Sequence, residues 1–208
     1  MTVLRAVTMR DRDDMRTALA DGRVIVWPGA DGYGLAARLD RPAARDAFDQ
    51  LVPTACGGHP PVTVVATIAQ AMVLSEPWNR QAEQLVDRLW PGPVELIVQA
   101  RDATPVRFGM PKDKTLRALC HDCGPLLMCC LRGQGGESIF TSAEALRHLA
   151  GTDVALLVEG GTRHGPPPTV VDCTVSPPVV TAVGAVPAAF VEASLLMAAR
   201  RRIRWLGM

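Results

Sequence analysis

The run Val24–Leu35, VIVWPGADGYGL, carries apolar residues up to Pro28 and then turns through Gly29, Gly32 and Gly34. Such a pattern predicts a buried strand delivering its end into a tight loop. Glycine has no Cβ to collide, so the backbone of that loop can come close to a ligand. Asp31 places a carboxylate within it. A second concentration of reactive side chains is Cys120-His121-Asp122-Cys123, followed by Cys129 and Cys130. Thiolates and imidazole at short spacing are zinc ligands. The first pair falls at a helix end, however, and adjacent residues of a strand point to opposite faces, so no metal is expected. His59 and His164 stand in Gly/Pro loops, where an imidazole could act as a weak acid or base.

The elements that must position these groups follow from periodicity and breakers. Helices are predicted over Asp11–Ala20, Pro42–Leu51, Glu76–Leu89 (with Trp78 on its apolar stripe), Thr115–Cys123 and Ser142–Ala150. Strands are predicted at Val24–Trp27, 62–68, Val94–Gln99, Val106–Met110, Leu126–Leu131, Val154–Val158, Thr169–Cys173 and Val179–Val183. Strands and helices alternate without strict βαβ regularity, which points to an α/β or α+β domain with a mixed, twisted sheet. From Pro187 a terminal helix is expected, ending in Arg200, Arg201, Arg202 and Arg204, cations suited to a helix C-terminus or to touching RNA. The expected organisation is one domain over 1–186 and this helix over 187–208.

With 208 residues, 48% of them hydrophobic, the chain can bury a substantial core. A net charge of +1 gives no overall case for a nucleic-acid or membrane partner. The opening MTVLRAVTMRDRDD has no apolar signal-peptide core, and no run approaches the length of a membrane span. A cytoplasmic protein with six reduced cysteines is therefore expected.

In order along the chain, PGADGYGL (28–35), LWPGPVELIV (89–98), GMP (109–111), GPLLMCCLRGQGG (124–136), VEGG (158–161), TVVD (169–172) and VGAV (183–186) resemble the YrdC-like family. The family's corresponding pieces read PTxTxYGL, WPGPLT, RxP, PxxxxSAN-SG, DGG, STVVD and RPGA. The resemblance implies a twisted mixed sheet with flanking helices around a concave basic pocket, with the loop at 28–34 at its mouth. It also implies an activity, L-threonylcarbamoyladenylate synthesis from threonine, bicarbonate and ATP, or the related use of a carbamoyl adenylate in carbamoyltransferases.

The residues that would serve ATP are exchanged. Triphosphate chemistry needs preorganised cations and hydroxyls. The family's K-x-R positions fall near Val52 and Thr54, and its RxP arginine is Gly109, with Arg107 two residues earlier. SAN becomes Cys130-Leu131-Arg132, and the following serine becomes Gln134. The serine before TVVD is Pro168, and the RPGA arginine is Ala182. Gly29 and Asp31 replace the two threonines of PTxT, and a carboxylate there repels a triphosphate.

The scaffold residues Pro28, Tyr33, Gly34, Trp90, Pro91, Gly92, Pro93, Gly135, Asp172 and Gly184 remain. The implied lining is then Pro28, Gly29, Asp31, Tyr33, Arg107, Cys130, Arg132, Gln134 and Thr169. Arg132 could hold a carboxylate or phosphate through its planar fork. Cys130 is a candidate nucleophile if the cation two residues on activates it, and Asp31 is the other candidate catalytic group. The expected function is a diverged YrdC-like enzyme for a small carboxylate, amino acid or carbamoyl/adenylate-type ligand, in specialised metabolism. The alternatives are a non-catalytic module binding a small molecule or RNA, and a retained synthase in which Arg107 and Arg132 supply the missing cations.

Overall fold

The computed structural model describes residues 2–4 and 9–203, and gives the backbone alone for residues 4, 9–10 and 197–203. The chain begins β1 (Thr2–Leu4), α1 (Met9–Ala20), β2 (Val24–Pro28), β3 (Tyr33–Arg38), α2 (Pro42–Ala55), β4 (Val62–Val64) and α3 (Ile68–Leu74). It continues α4 (Arg80–Leu89), β5 (Val94–Gln99), β6 (Pro105–Gly109), α5 (Lys114–Cys123) and β7 (Leu126–Cys130). The last elements are α6 (Ser142–His148), β8 (Val154–Val158), β9 (Thr169–Asp172), β10 (Val179–Ala182) and α7 (Ala188–Ile203). The fold is mixed α/β, as the alternation of elements predicts. Arg204 and the side chains of Arg200–Arg202, the basic end expected of the tail, lie outside what is described.

The chain divides into two compact units: residues 1–66 with 118–166, and residues 67–117 with 167–208. In the first, strands run in the order β1, β8, β2, β3, β7, β4. β1, β8 and β2 are parallel, whereas β3 pairs antiparallel with both β2 and β7, and β4 pairs antiparallel with β7. Val24, Val26, Tyr33, Leu35, Leu127, Cys129 and Leu131 alternate onto one face and pack with Phe48 and Ala44 of α2 and Ala145 of α6. Ile25 and Ala36 take the opposite face, and α1 also packs on this sheet, burying Met15 and Leu19 completely. Both faces of β2 are thus covered, which is why it reads as an unbroken apolar run.

β2 and β3 form a hairpin with Val26 opposite Leu35 and Trp27 opposite Gly34. β3 departs from the sequence expectation, which places no strand over YGLAAR. Gly34, Ala36 and Ala37 have little intrinsic strand preference, and pairing on both edges supplies what propensity lacks. Similarly, the strand expected over 62–68 stops at Val64. Thr67 then caps α3, its hydroxyl accepting the Gln70 N–H at 3.3 Å.

α6 begins with a complete capping box. Thr141 accepts the Glu144 N–H at 3.2 Å, and the Glu144 carboxylate accepts the N–H groups of Thr141 at 3.0 Å and Phe140 at 3.1 Å. The Thr141 hydroxyl, followed by these backbone N–H groups, holds the Glu144 carboxyl below the usual range. Thr141→Ala is expected to cost about 1 kcal/mol, read as a lower urea midpoint at unchanged slope. Because the folded Glu144 value is depressed, its contribution is present at neutral pH and is lost as the pH falls through that value.

In the second unit the strand order is β6, β5, β9, β10. β5 runs antiparallel to β6 and parallel to β9, and β10 runs antiparallel to β9. Trp78 stacks edge-on against Trp90 at 6.0 Å and lies against Phe108 at 6.5 Å. Trp78 precedes α4 and is not on its stripe. Pro77 disfavours helical backbone before it, and Asn79 caps the helix, accepting the Ala82 N–H at 2.8 Å.

Candidate functional site

The tip of the β2–β3 hairpin is a tight turn closed by Gly29 N–H donating to the Gly32 carbonyl at 2.8 Å. Gly32 has φ +144°, and a Cβ there would meet the Ile139 carbonyl at 3.0 Å, so only glycine suits the position. This turn holds Asp31 against β7, whose Cys130 pairs with Gly34. Cys129 and Leu131 turn into the core, which sends Cys130 and Arg132 to the other side of the chain. The Cys130 thiol lies 3.7 Å from each Asp31 carboxylate oxygen.

Arg132 is half-buried, and three contacts define its place. Its N–H donates to the Ala55 carbonyl at 2.9 Å, its backbone bridges to Ser138, and its guanidinium donates to the Ser138 hydroxyl. Its Nε is buried and has no partner among the described residues. Gln134 is exposed in the following turn, where Gly133 N–H donates to the Glu137 carbonyl at 2.8 Å.

Tyr33 is fully buried. Its hydroxyl accepts the Gly160 N–H at 2.9 Å and donates to the Gly161 carbonyl at 2.9 Å, tying the loop after β8 to the hairpin. Arg163 reaches back from that loop, with Nε donating to the Gly29 carbonyl at 2.9 Å and Nη2 to the Pro28 carbonyl at 3.1 Å. Gly165 N–H donates to the Ala30 carbonyl at 2.9 Å. Pro28, Gly29, Asp31, Cys130 and Arg132 therefore gather around the hairpin turn in the first unit, whereas the Tyr33 side chain, expected in the lining, lies in the core beside Cys129 and Leu131 and braces the loop after β8.

Arg107 and Thr169 belong to the second unit. Arg107 is ion-paired across the β5–β6 ladder with Glu95 at 3.2 Å. Thr169 is fully buried, and its hydroxyl donates to the Val186 carbonyl at 2.6 Å while accepting N–H groups from Gly184 at 2.9 Å and Val186 at 3.0 Å. Its side chain thus fastens the VGAV turn to β9.

Five of the six cysteines are buried, and Cys130 is half-exposed. A hydrogen bond to Cys129 and then burial push the Cys56 thiol far up, and burial followed by the Asp172 carboxylate pushes Cys173 up to about 12. Such thiols are poor nucleophiles. His59 and His164 are both exposed. The His164 ring rests on Phe140 at 4.3 Å, and the His59 carbonyl accepts from the Cys129 thiol at 3.2 Å. Two shallow recesses of the first unit, of about 370 and 360 Å³, lie around Arg16 and Asp122 and around Arg45 and Asp49, and neither includes hairpin-turn residues.

Sequence reasoning missed Arg163 and Ser138. A signal for the first existed in GGTRHG: a glycine turn such as Pro28–Gly32 leaves carbonyls without ladder partners, and a loop arginine is a ready donor.

Residues 17–184 match the Sua5_yciO_yrdC family, described as Telomere recombination. The threonylcarbamoyl-AMP synthase of Pyrococcus abyssi (strain GE5 / Orsay) is 26% identical over 185 residues, 84% of this chain and 54% of that protein. The chain spans about half the length of the curated relatives it matches. The crystal structure of P. abyssi Sua5 complexed with L-threonine superposes with a TM-score of 0.79 at 24% identity, covering 93% of this chain and 60% of that one. E. coli YciO gives a TM-score of 0.74 at 21% identity, covering 89% and 95% of the two chains. With fold and sequence in agreement over most of its length, the chain belongs to the Sua5/YciO/YrdC family.

Proposed function

We propose that the protein is a diverged YrdC-like enzyme whose site takes a small amino acid, with the ammonium on Asp31 and the carboxylate on Arg132. The observation that carries this reading is the Asp31 carboxylate 3.7 Å from the Cys130 thiol, with the Arg132 guanidinium bonded to Ser138, a residue that packs against Gly32 of the same turn. A carboxylate has about four acceptor positions, so contact with the Cys130 thiol leaves Asp31 room for an ammonium group. The guanidinium fork of Arg132 suits a carboxylate. The L-threonine held by P. abyssi Sua5 is a ligand of this chemistry. A nucleoside triphosphate would meet Asp31 as a like charge, so binding of an amino acid without tight binding of ATP is expected.

Calorimetry on the full chain tests this reading. L-threonine or another small amino acid is expected to bind. The same acid lacking its ammonium group, and the amine lacking its carboxylate, should each bind at least tenfold more weakly. Asp31→Asn should weaken the amino acid by about 10-fold or more, the scale of a hydrogen bond to a charged group. No heat from any small amino acid would remove the proposal. Pyrophosphate release requiring threonine, bicarbonate and ATP would establish a retained synthase instead, and amino-acid binding with no turnover of any carbamoyl or adenylate substrate would make the protein a binding module.

A further inference from the structure

We propose that Arg163 is a positioning residue of the site: its guanidinium holds the peptide carbonyls of Pro28 and Gly29 and so fixes Asp31 against Cys130. Three consecutive carbonyls of the hairpin turn are held from one segment. Pro28 and Gly29 are held by the Arg163 side chain at 3.1 and 2.9 Å, and Ala30 by the Gly165 N–H at 2.9 Å. Asp31 is the next residue. The segment that does the holding is itself anchored. Arg163 N–H donates to the Phe140 carbonyl at 2.9 Å, and the Tyr33 hydroxyl bonds both Gly160 and Gly161. Ser142, on α6, donates its hydroxyl to Glu159 at 3.0 Å. Of the links at residues 28–30, the two from Arg163 are the ones a single side-chain replacement can remove.

A planar guanidinium can meet two successive carbonyls at once, and a lysine ammonium meets them as a point donor. Without the fork, residues 28–29 lose their lateral support while the turn bond between Gly29 and Gly32 persists. The turn then pivots as a unit, carrying Asp31 away from Cys130. That pairing is read directly by thiol chemistry, because a thiol whose proton faces a carboxylate is a poor nucleophile and loss of the carboxylate frees it.

The test is the rate of iodoacetamide alkylation at Cys130, resolved by peptide mass spectrometry at one mildly alkaline pH on the full chain. Asp31→Asn is expected to raise that rate severalfold. Arg163→Ala should raise it by a similar factor, Arg163→Lys by less, and the Asp31→Asn/Arg163→Ala double variant no further than either single change. Cys56 and Cys129 should stay unlabelled throughout. An unchanged Cys130 rate in Arg163→Ala, effects that multiply in the double variant, or labelling of Cys56 and Cys129 as well would each overturn the proposal, the last by making Arg163 merely structural.

The effect on affinity rests on the amino-acid reading above: Arg163→Ala should weaken that ligand, and Arg163→Lys should restore part of the loss. If no amino acid binds the wild-type chain yet the alkylation coupling holds, the ligand assignment fails and the positioning role stands.

Discussion

Thr169→Val is expected to lower the free energy of unfolding by about 2–4 kcal/mol, although valine nearly matches threonine in shape. The hydroxyl it removes serves three backbone groups: the N–H of Gly184, and the N–H and carbonyl of Val186. Each partly buried group left without a partner costs on the order of 1 kcal/mol or more. Thr169→Ser keeps the oxygen and should lose about 1 kcal/mol, mostly from the missing methyl. Urea denaturation of the two variants side by side separates the hydrogen bonds from packing. A valine variant as stable as the serine variant would defeat the argument.

Gly160→Ala is the other large effect. A Cβ at Gly160 would lie 2.6 Å from Pro28 Cγ, and a proline ring in a strand cannot swing aside. The loop after β8 must therefore lift off the hairpin, straining the Tyr33, Arg163 and Gly165 bonds together. The expected cost is about 1–3 kcal/mol of stability. It should come with faster alkylation of Cys130 and, on the amino-acid reading proposed above, with a larger loss of that ligand's affinity than Thr169→Val causes. Stability and labelling rates of wild-type levels would show that the loop accommodates the methyl group.

The elements that local pattern specifies were legible in the sequence. The apolar run at Val24, the helix from Pro42 and the stop at Trp90-Pro91 each follow from periodicity or a breaker at the place itself. β3 was not, because Gly34, Ala36 and Ala37 become a strand only through neighbours on both edges. The helix at Ile68 hid behind a β-branched run, although Thr67 three residues before Gln70 is a capping signature. At the site, Asp31 and Cys130 could be named from the sequence, but their contact spans 99 positions and depends on the register of β7 with β3. Arg107 could be read as a free cation because its counter-charge, Glu95, lies across a strand pair that no local pattern specifies. Arg163 was passed over for a similar reason: its partners are carbonyls, which every residue carries and no sequence letter distinguishes.

That last point bears on how such a site can change over evolutionary time. The frame around the hairpin turn is built largely from main-chain atoms. Arg163 grips the carbonyls of Pro28 and Gly29, Gly165 that of Ala30, and Tyr33 the peptide groups of Gly160 and Gly161. None of these bonds consults the side chains at 30, 31 or 162. The side chain at position 31 can therefore change while the frame that presents it keeps its shape. Mutational freedom is thereby concentrated at the turn, and if Asp31 recognises the ligand as proposed, a lineage can exchange one ligand for another here without first loosening the fold.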